Sequence, residues 1–438
     1  MLQQEIPLRG FDTYEAPEYE KLQECIHCGL CLPYCPTYRI LGMENDSPRG
    51  RLYLMRAVAD GKIPMTKNFV RHMYLCLDCR ACETACPSGV KFGELMETTR
   101  GQIERVLPRP WYVRLFRRLA FGTILSNPKW LALVADFTLL YQKSGLQKFI
   151  RRLGILDYLP DSLNVMEQML PESLPPKALR YELKEVTPAR GETQRRVGFL
   201  SGCVMQLWFT PTNLATVNVL ARNGCEVVTP AAQRCCGALH AHSGEREMAK
   251  ALARHNIDVF TAADVEAIIV NAAGCGAFLK EYAHLLKHDR EYRDKAEAFS
   301  QKVKDISEFL TAIPLQKPQG EIRARVAYDD PCHLLHGQKI GQQPRDLLRM
   351  IPGIELVNVK EADWCCGSAG IYNIIQPAVS LELLERKIKH LQAVNPDIIA
   401  SGNPGCLLQI GRGVKQSGMS AEVVHPIDLL ERSYRLAE

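Results

Sequence analysis

The sequence predicts a multidomain protein of mixed α+β and α/β class, with a helix-rich N-terminal domain, a helical linker and two duplicated α/β cysteine-rich modules. Three observations carry that prediction. The seventeen cysteines form two populations, eight between positions 25 and 86 and nine between 203 and 406. A basic, aromatic stretch without cysteine separates them. Beyond residue 190 the chain repeats itself at a nearly constant offset. A chain of 438 residues suits several domains of about 100–200 residues each. The boundaries are expected at 1–105, 106–190, 191–315 and 316–438.

Composition narrows the class. A chain 46 % hydrophobic and 24 % charged is an ordinary globular mixture, which excludes disordered, collagen-like and small disulfide-stapled chains. A net charge of +5 is too small to point to nucleic acid. The cysteine count is odd, and Cys235-Cys236 and Cys365-Cys366 are neighbours that a trans peptide keeps from bridging. Met1-Leu2-Gln3-Gln4-Glu5 lacks a basic n-region followed by an apolar one, so no secretory signal is read. Together these features predict a reducing, cytoplasmic setting and metal rather than disulfides. No apolar run reaches the ~18 residues of a transmembrane helix, which leaves a peripheral membrane contact open.

The N-terminal domain begins with a polar lead-in over residues 1–24. Cys25-x2-Cys28-x2-Cys31-x3-Cys35-Pro36 is the bacterial ferredoxin run, and Cys76-x2-Cys79-x2-Cys82-x3-Cys86-Pro87 repeats it. Three thiolates in one tight loop take three corners of a cubane, and in two-cluster ferredoxins the fourth comes from the other run. Cys25, Cys28, Cys31 and Cys86 are therefore assigned to one [4Fe–4S] cluster, and Cys76, Cys79, Cys82 and Cys35 to the other. Structural zinc, the competing reading, uses two separated Cys-x2-Cys pairs. The stretch between Cys35 and Cys76 reads helical, with Leu52, Met55 and Ala59 at helical spacing, so a helix-rich domain replaces the compact βαβ form. Arg49-Gly50-Arg51 reads as a set of ordinary surface contacts, with hydrogen bonding to cluster sulfur as the alternative.

The linker carries charge and aromatics together. Residues 100–155 hold eleven Lys/Arg and two acids, a local net of +9 that leaves −4 for the rest. Trp111, Tyr112, Phe116, Phe121, Trp130, Phe137, Tyr141 and Phe149 are interleaved with them. Such a segment either lies on an anionic membrane or a partner, or packs its aromatics on its own domains. Pro171, Pro175, Pro176 and Pro188 mark the boundary that follows.

The modules align landmark by landmark. Cys203, Cys235, Cys236 and Cys275 recur as Cys332, Cys365, Cys366 and Cys406, at offsets of 129, 130, 130 and 131. Strands over 196–200, 224–229 and 267–270 pair with 325–329, 353–358 and 397–400, with helices near 246–263 and 378–394 between them. This βα alternation predicts a largely parallel sheet per copy, with its cysteines at the ligand-binding rim. Four thiols per copy match a further cluster or other metal. Buried free cysteine is the competing reading, and it suits Cys225. His240, His242, His333 and His336 each read as surface or capping histidines.

Gly274-x-Gly276 and Gly411-x-Gly413 lack the third glycine of a dinucleotide fingerprint, and neither P-loop nor Gly-x-Ser-x-Gly elbow is present. No flavin or nicotinamide site is read, so the substrate-oxidising cofactor is expected in a partner.

Two ferredoxin runs followed by two Cys-Cys-Gly (CCG) modules resemble the iron–sulfur subunits of flavin-dependent hydroxy-acid dehydrogenases. The wording Asp330-Pro-Cys332-His-Leu-Leu-His-Gly-Gln-Lys339, Cys365-Cys-Gly-Ser-Ala-Gly-Ile-Tyr-Asn373 and Gly402-Asn-Pro-Gly-Cys406-Leu-Leu-Gln409 resembles the glycolate oxidase (glycolate dehydrogenase) iron–sulfur subunits. The resemblance implies a complex with GlcD-like and GlcE-like flavoprotein subunits. Glycolate would become glyoxylate at a partner's FAD, and electrons would cross this chain to a quinone or other membrane acceptor. The isolated chain would not oxidise glycolate, and no residue of it is assigned a catalytic role. Equivalent lactate or glycerol-3-phosphate dehydrogenase subunits, and an enzyme acting at the CCG modules, are the alternatives. Heterodisulfide reductase modules end in Cys-x-x-Cys, whereas Phe278 and Gln409 stand here. That difference implies a simpler cluster, or none, in each module.

Overall fold

The computed structural model describes residues 10–438 apart from 159–160 and 172–173. The N-terminal pentapeptide and Glu172-Ser173 of the proline-rich stretch lie outside the described residues. No strand occurs among the described residues before Val186, so the first domain is helical as expected. Each cysteine run feeds a helix. Cys35 stands at the N-cap position of Pro36–Leu41, and between the two runs Ser47 caps Pro48–Ala59 by accepting from Gly50 N at 3.0 Å. Leu52 and Met55 of the latter helix are buried in a small core with Phe69, Met73, Leu95 and Met96.

Two sheets follow. The first runs β1 (Val186–Thr187), β2 (Arg195–Leu200), β3 (Cys225–Val228), β4 (Ala267–Val270) and β5 (Val303–Asp305), in the order β1-β3-β2-β4-β5. The second runs β6 (Ala324–Tyr328), β7 (Ile354–Val357), β8 (Ile398–Ala400) and β9 (Glu422–Val424), in the order β7-β6-β8-β9. Only β1 is antiparallel. Val197 pairs with Val227 and Ala267, and Val326 pairs with Leu356 and Ile398, so the duplication extends to register. β1 joins the first module's sheet from inside the expected linker.

The modules share one core. Val197, Phe199 and Val217 of the first copy cluster with Val326, Tyr328 and Leu430 of the second. The last helix, Pro426–Leu436, packs on Thr210–Arg222, and Thr212 Oγ1 donates to Asp428 Oδ2 at 3.0 Å. Cys225 lies in β3 within this core, as the free-cysteine reading expects.

The linker is helical over Trp111–Arg117, continuing as a π turn to Leu125, then over Pro128–Lys143, Leu146–Arg152 and Asp161–Gln168. Most of its aromatics do not pack inward. Among those singled out, Phe121 is buried against His240, whereas Trp111, Phe116 and Phe137 are 70 %, 71 % and 62 % exposed.

Candidate metal centres

The loops of the two runs bend through left-handed residues, Gly29 and His27 in the first and Asp78 and Arg80 in the second. Cys25, Cys28, Cys31 and Cys86 line one recess near the surface, together with Cys82 of the other set. Cys28 is exposed and the other three of that set are half-buried. Burial raises the Cys31 thiol to about 11. Cys35, Cys76, Cys79 and Cys82 are all buried. Burial, then the neighbouring thiols Cys79, Cys76 and Cys35, push the Cys82 thiol well up. The backbone N–H of Asp78 donates to Cys76 Sγ at 3.3 Å, and Thr37 Oγ1 lies 3.3 Å from Cys35 Sγ.

Arg51 departs from the surface reading: the side chain is fully buried. Its guanidinium donates to His72 O at 2.8 Å, Thr37 Oγ1 at 3.1 Å and Asp46 O at 2.5 Å. Burial alone would lower its pKa. The nearby Cys76 and Cys35, followed by Asp46, raise it instead. A fixed cation thus stands beside the buried thiol group. Arg49 remains partly exposed and reaches His27 O at 3.2 Å.

In both modules the cysteines follow the C-terminal ends of the parallel strands. Cys235 and Cys203 are 3.6 Å apart, and the thiols run in contact as 203–235–236–275 and as 332–365–366–406. Ala238 N donates to Cys236 Sγ, and Gly367 N to Cys365 Sγ, each at 3.5 Å. Asn403 Nδ2 lies 3.5 Å from Cys406 Sγ. Clustered thiols that repel one another as thiolates yet receive N–H donors form a donor set suited to a metal centre.

The two rims face each other. The eight repeated module cysteines, together with Cys76, line a single cavity of about 620 Å³ roofed by the linker. Cys79 lies beside Cys365 and Cys332, so the buried N-terminal group abuts the second module. Tyr372 donates to Leu75 O at 3.0 Å across this contact.

The histidines are not surface residues. His240 and His336 are buried, and His242 and His333 stand ring to ring at 5.2 Å on the cavity wall. Burial would lower the His242 imidazole, but Asp78 and Glu97 bind it and raise it to about 9. Burial, then the charge of His242, lowers His333 to about 4. Asp78, Glu97 and His242 are close enough to share a cation. Arg80 and Arg246 already approach Glu97 at 3.5 and 3.7 Å, so an ion-pair network fills that role.

The copies differ at a buried charge pair. Cβ atoms on Gly237 and Gly367 would meet Ala249 Cα and Ser380 Cα, at 3.4 and 3.2 Å, which equates positions 249 and 380. On that register Asn256 corresponds to Lys387. Leu200 and Val270 correspond to Asp329 and Ser401 by strand register. Lys387 Nζ lies 2.8 Å from Asp329 Oδ1 and donates to Glu361 O and Ala362 O at 2.9 Å, and Ser401 Oγ donates to Asp329 Oδ2 at 3.0 Å.

Comparison with known proteins agrees with this layout. The 4Fe-4S dicluster domain family matches residues 21–90, and the cysteine-rich domain family matches 197–280 and 326–411. The glycolate oxidase iron-sulfur subunit, linker region, matches 112–170. A probable glycolate oxidase iron-sulfur subunit of Bacillus subtilis (strain 168) is 44 % identical over 415 residues, 94 % of this chain and 93 % of that one. The glycolate oxidase iron-sulfur subunit of Escherichia coli (strain K12) is 34 % identical over 416 residues, 94 % of both. Lactate utilization protein A of Geobacillus sp. (strain WCH70) is 31 % identical over 236 residues, 54 % of this chain and 98 % of that one.

Proposed function

The chain belongs to the family of glycolate oxidase iron–sulfur subunits, and from that premise we propose that it carries electrons from a partner flavoprotein to a quinone-type acceptor. Glycolate gives up two electrons and two protons at the partner's FAD, held by GlcD-like and GlcE-like subunits, and leaves as glyoxylate. Cys25, Cys28, Cys31 and Cys86 hold one [4Fe–4S] cluster, and Cys35, Cys76, Cys79 and Cys82 the other. When bound, such clusters supply one-electron carriage. The observation that carries this reading is the line of thiols. It begins at exposed Cys28, passes through the buried group, and meets the second module where Cys79 adjoins Cys365.

Arg51 holds positive charge against the buried group, and the apolar walls exclude water from it. The linker supports a peripheral membrane contact. Seventeen of the twenty-eight exposed large apolar side chains among the described residues fall between Trp111 and Met166. The two acids of the basic stretch are engaged, Glu104 with Arg109 and Arg117, and Asp136 with Lys177 and Arg180. The outward charge is therefore positive and complements anionic lipid. No helix among the described residues is long and apolar enough to cross a membrane.

Cys79→Ala in the assembled complex tests the relay. Glycolate should still bleach the partner's FAD, while iron content falls by one cluster and acceptor reduction drops at least tenfold. Undiminished acceptor reduction, or glycolate turnover by the isolated chain, would overturn the reading. The full-length matches favour glycolate over lactate, and exchanging the two acids in the same complex decides between them.

A further inference from the structure

The cavity between the modules holds more than thiols, and we propose that it binds the acceptor itself, a planar apolar ring bearing two carbonyl oxygens, of quinone type. The inference rests on the relay reading and adds the place and the residues at which the acceptor sits. At about 620 Å³ the space falls in the range of small-molecule sites, about 300–1,000 Å³. Away from the cysteines its wall is apolar, with Leu125, Val134, Leu163, Met166, Ile374 and Ile375.

Three uncharged polar atoms on that wall are buried without a partner, Trp208 Nε1, Ser368 Oγ and Asn373 Oδ1, beside Arg100 Nε. An orphaned buried polar group is costly and asks for a ligand. The indole N–H and the serine hydroxyl are donors that match two carbonyls. The Asn373 amide is oriented by Gln409, to whose Oε1 its Nδ2 donates at 3.2 Å, which leaves Oδ1 as an acceptor for the hydroxyl of the reduced ring. Two of the three cations on the wall are paired with carboxylates of the protein. Arg100 donates to the carbonyls of Met73, Cys76 and His242, Arg117 pairs with Glu245, and His242 lies between Asp78 and Glu97. A hydroxy-acid carboxylate would find only Arg100 there, already held by three carbonyls, whereas an uncharged ring needs no cation.

The mouth faces the right phase. Val134, Leu163, Met166 and Ile375 line the cavity and are also exposed, and the first three belong to the outward apolar face of the linker. A lipid-dissolved ring would thus enter from the side on which the linker meets the membrane. The exchange balances: the ring takes up the two electrons and two protons that one glycolate releases, and leaves as the quinol.

Decylubiquinone binding to the iron-replete full chain in complex with its flavoprotein partners tests the site, read by ultrafiltration and by tryptophan quenching. Trp208→Phe and Ser368→Ala each remove one donor and should weaken binding about fivefold. Met166→Trp, at an exposed position in the mouth, should weaken it at least tenfold. Iron content and the EPR spectrum of each variant report that the fold is kept. Wild-type affinity in all three iron-replete variants, or no binding to the iron-replete wild type, would overturn the site and leave the relay standing. A complex without cluster iron would instead overturn the relay.

Discussion

Replacing Lys387 by methionine probes the charge pair that distinguishes the second module from the first. Lys387 and Asp329 are 1 % and 2 % exposed, 2.8 Å apart, and the ammonium also satisfies the carbonyls of Glu361 and Ala362. Lys387→Met leaves a buried carboxylate held by Ser401, while the Glu361 and Ala362 carbonyls keep only the backbone N–H groups of Trp364 and Asp330. Removing one partner of a buried pair costs about 3–5 kcal/mol. At roughly 2–4 °C per kcal/mol this corresponds to a fall of about 6–20 °C in the transition of the module. The first module shows that the same fold tolerates Leu200, Asn256 and Val270 at these places. The triple change Asp329→Leu, Lys387→Asn and Ser401→Val should therefore return to within about 1.5 kcal/mol of wild type, since exchanging a whole buried pair is often neutral. Anaerobic thermal unfolding followed by circular dichroism measures both. A triple variant no more stable than Lys387→Met would refute the equivalence of the sites, and a fall under about 3 °C in the single variant would refute the energetics.

Two further outcomes follow from the same structure. Replacing the exposed linker arginines Arg114 and Arg118 by alanine should weaken flotation of the assembled complex with vesicles containing phosphatidylglycerol about thirtyfold, at about 1 kcal/mol per basic residue, and 0.5 M salt should weaken the wild type likewise. Loss of complex assembly with unchanged flotation would assign the linker face to the flavoprotein instead. His425 is buried, donates through Nε2 to Asn271 O at 2.9 Å and accepts from Ile427 N, and burial lowers its pKa from 6.5 to about 4. The unfolded chain then binds the extra proton first, so stability present above pH 6.5 is lost as pH falls toward 4, at about 1.4 kcal/mol per unit. Asp428 beside it, raised from 3.8 to about 6 by burial, works in the opposite sense between those values. His425→Asn should remove the first slope and keep the second in unfolding measured from pH 7 to 4.5, and an unchanged slope would contradict the assignment.

What the sequence could convey was set by how local each signal is. The spacing of the thiols within each run and the offset between modules are properties of short segments, and they fixed helices, strands and register before any tertiary contact. The strand equivalences of Val197 and Val326 follow from the same arithmetic. Arg51 and Lys387 were not legible because a lone charge in a helix reads as solvated. Only partners distant in sequence, such as His72 for Arg51 and Asp329 for Lys387, make burial tolerable. His240 was missed for the same reason, since Phe121 that covers it is 119 residues away. The joining of both cysteine rims in one cavity depends on the shared core, and no single segment carries that information. Trp208 and Ser368 could have been suspected only from their closeness to Cys203 and Cys366.

The duplication has diverged in how each copy meets the N-terminal domain. The first module is held by charge: Arg80 with Glu281, His242 with Asp78 and Glu97, and Arg246 with Glu15. The second is met by thiols, Cys79 against Cys365 and Cys332, and by neutral hydrogen bonds from Tyr372 to Leu75 O and between His336 and Thr84. A charge network fixes orientation, whereas close thiols bring the two donor groups into contact. On the proposed reading the first copy therefore anchors the N-terminal domain while the second receives its electrons. The shared core explains why neither copy could be lost: it sets the two rims face to face, and without that opposition the acceptor cavity has only one wall.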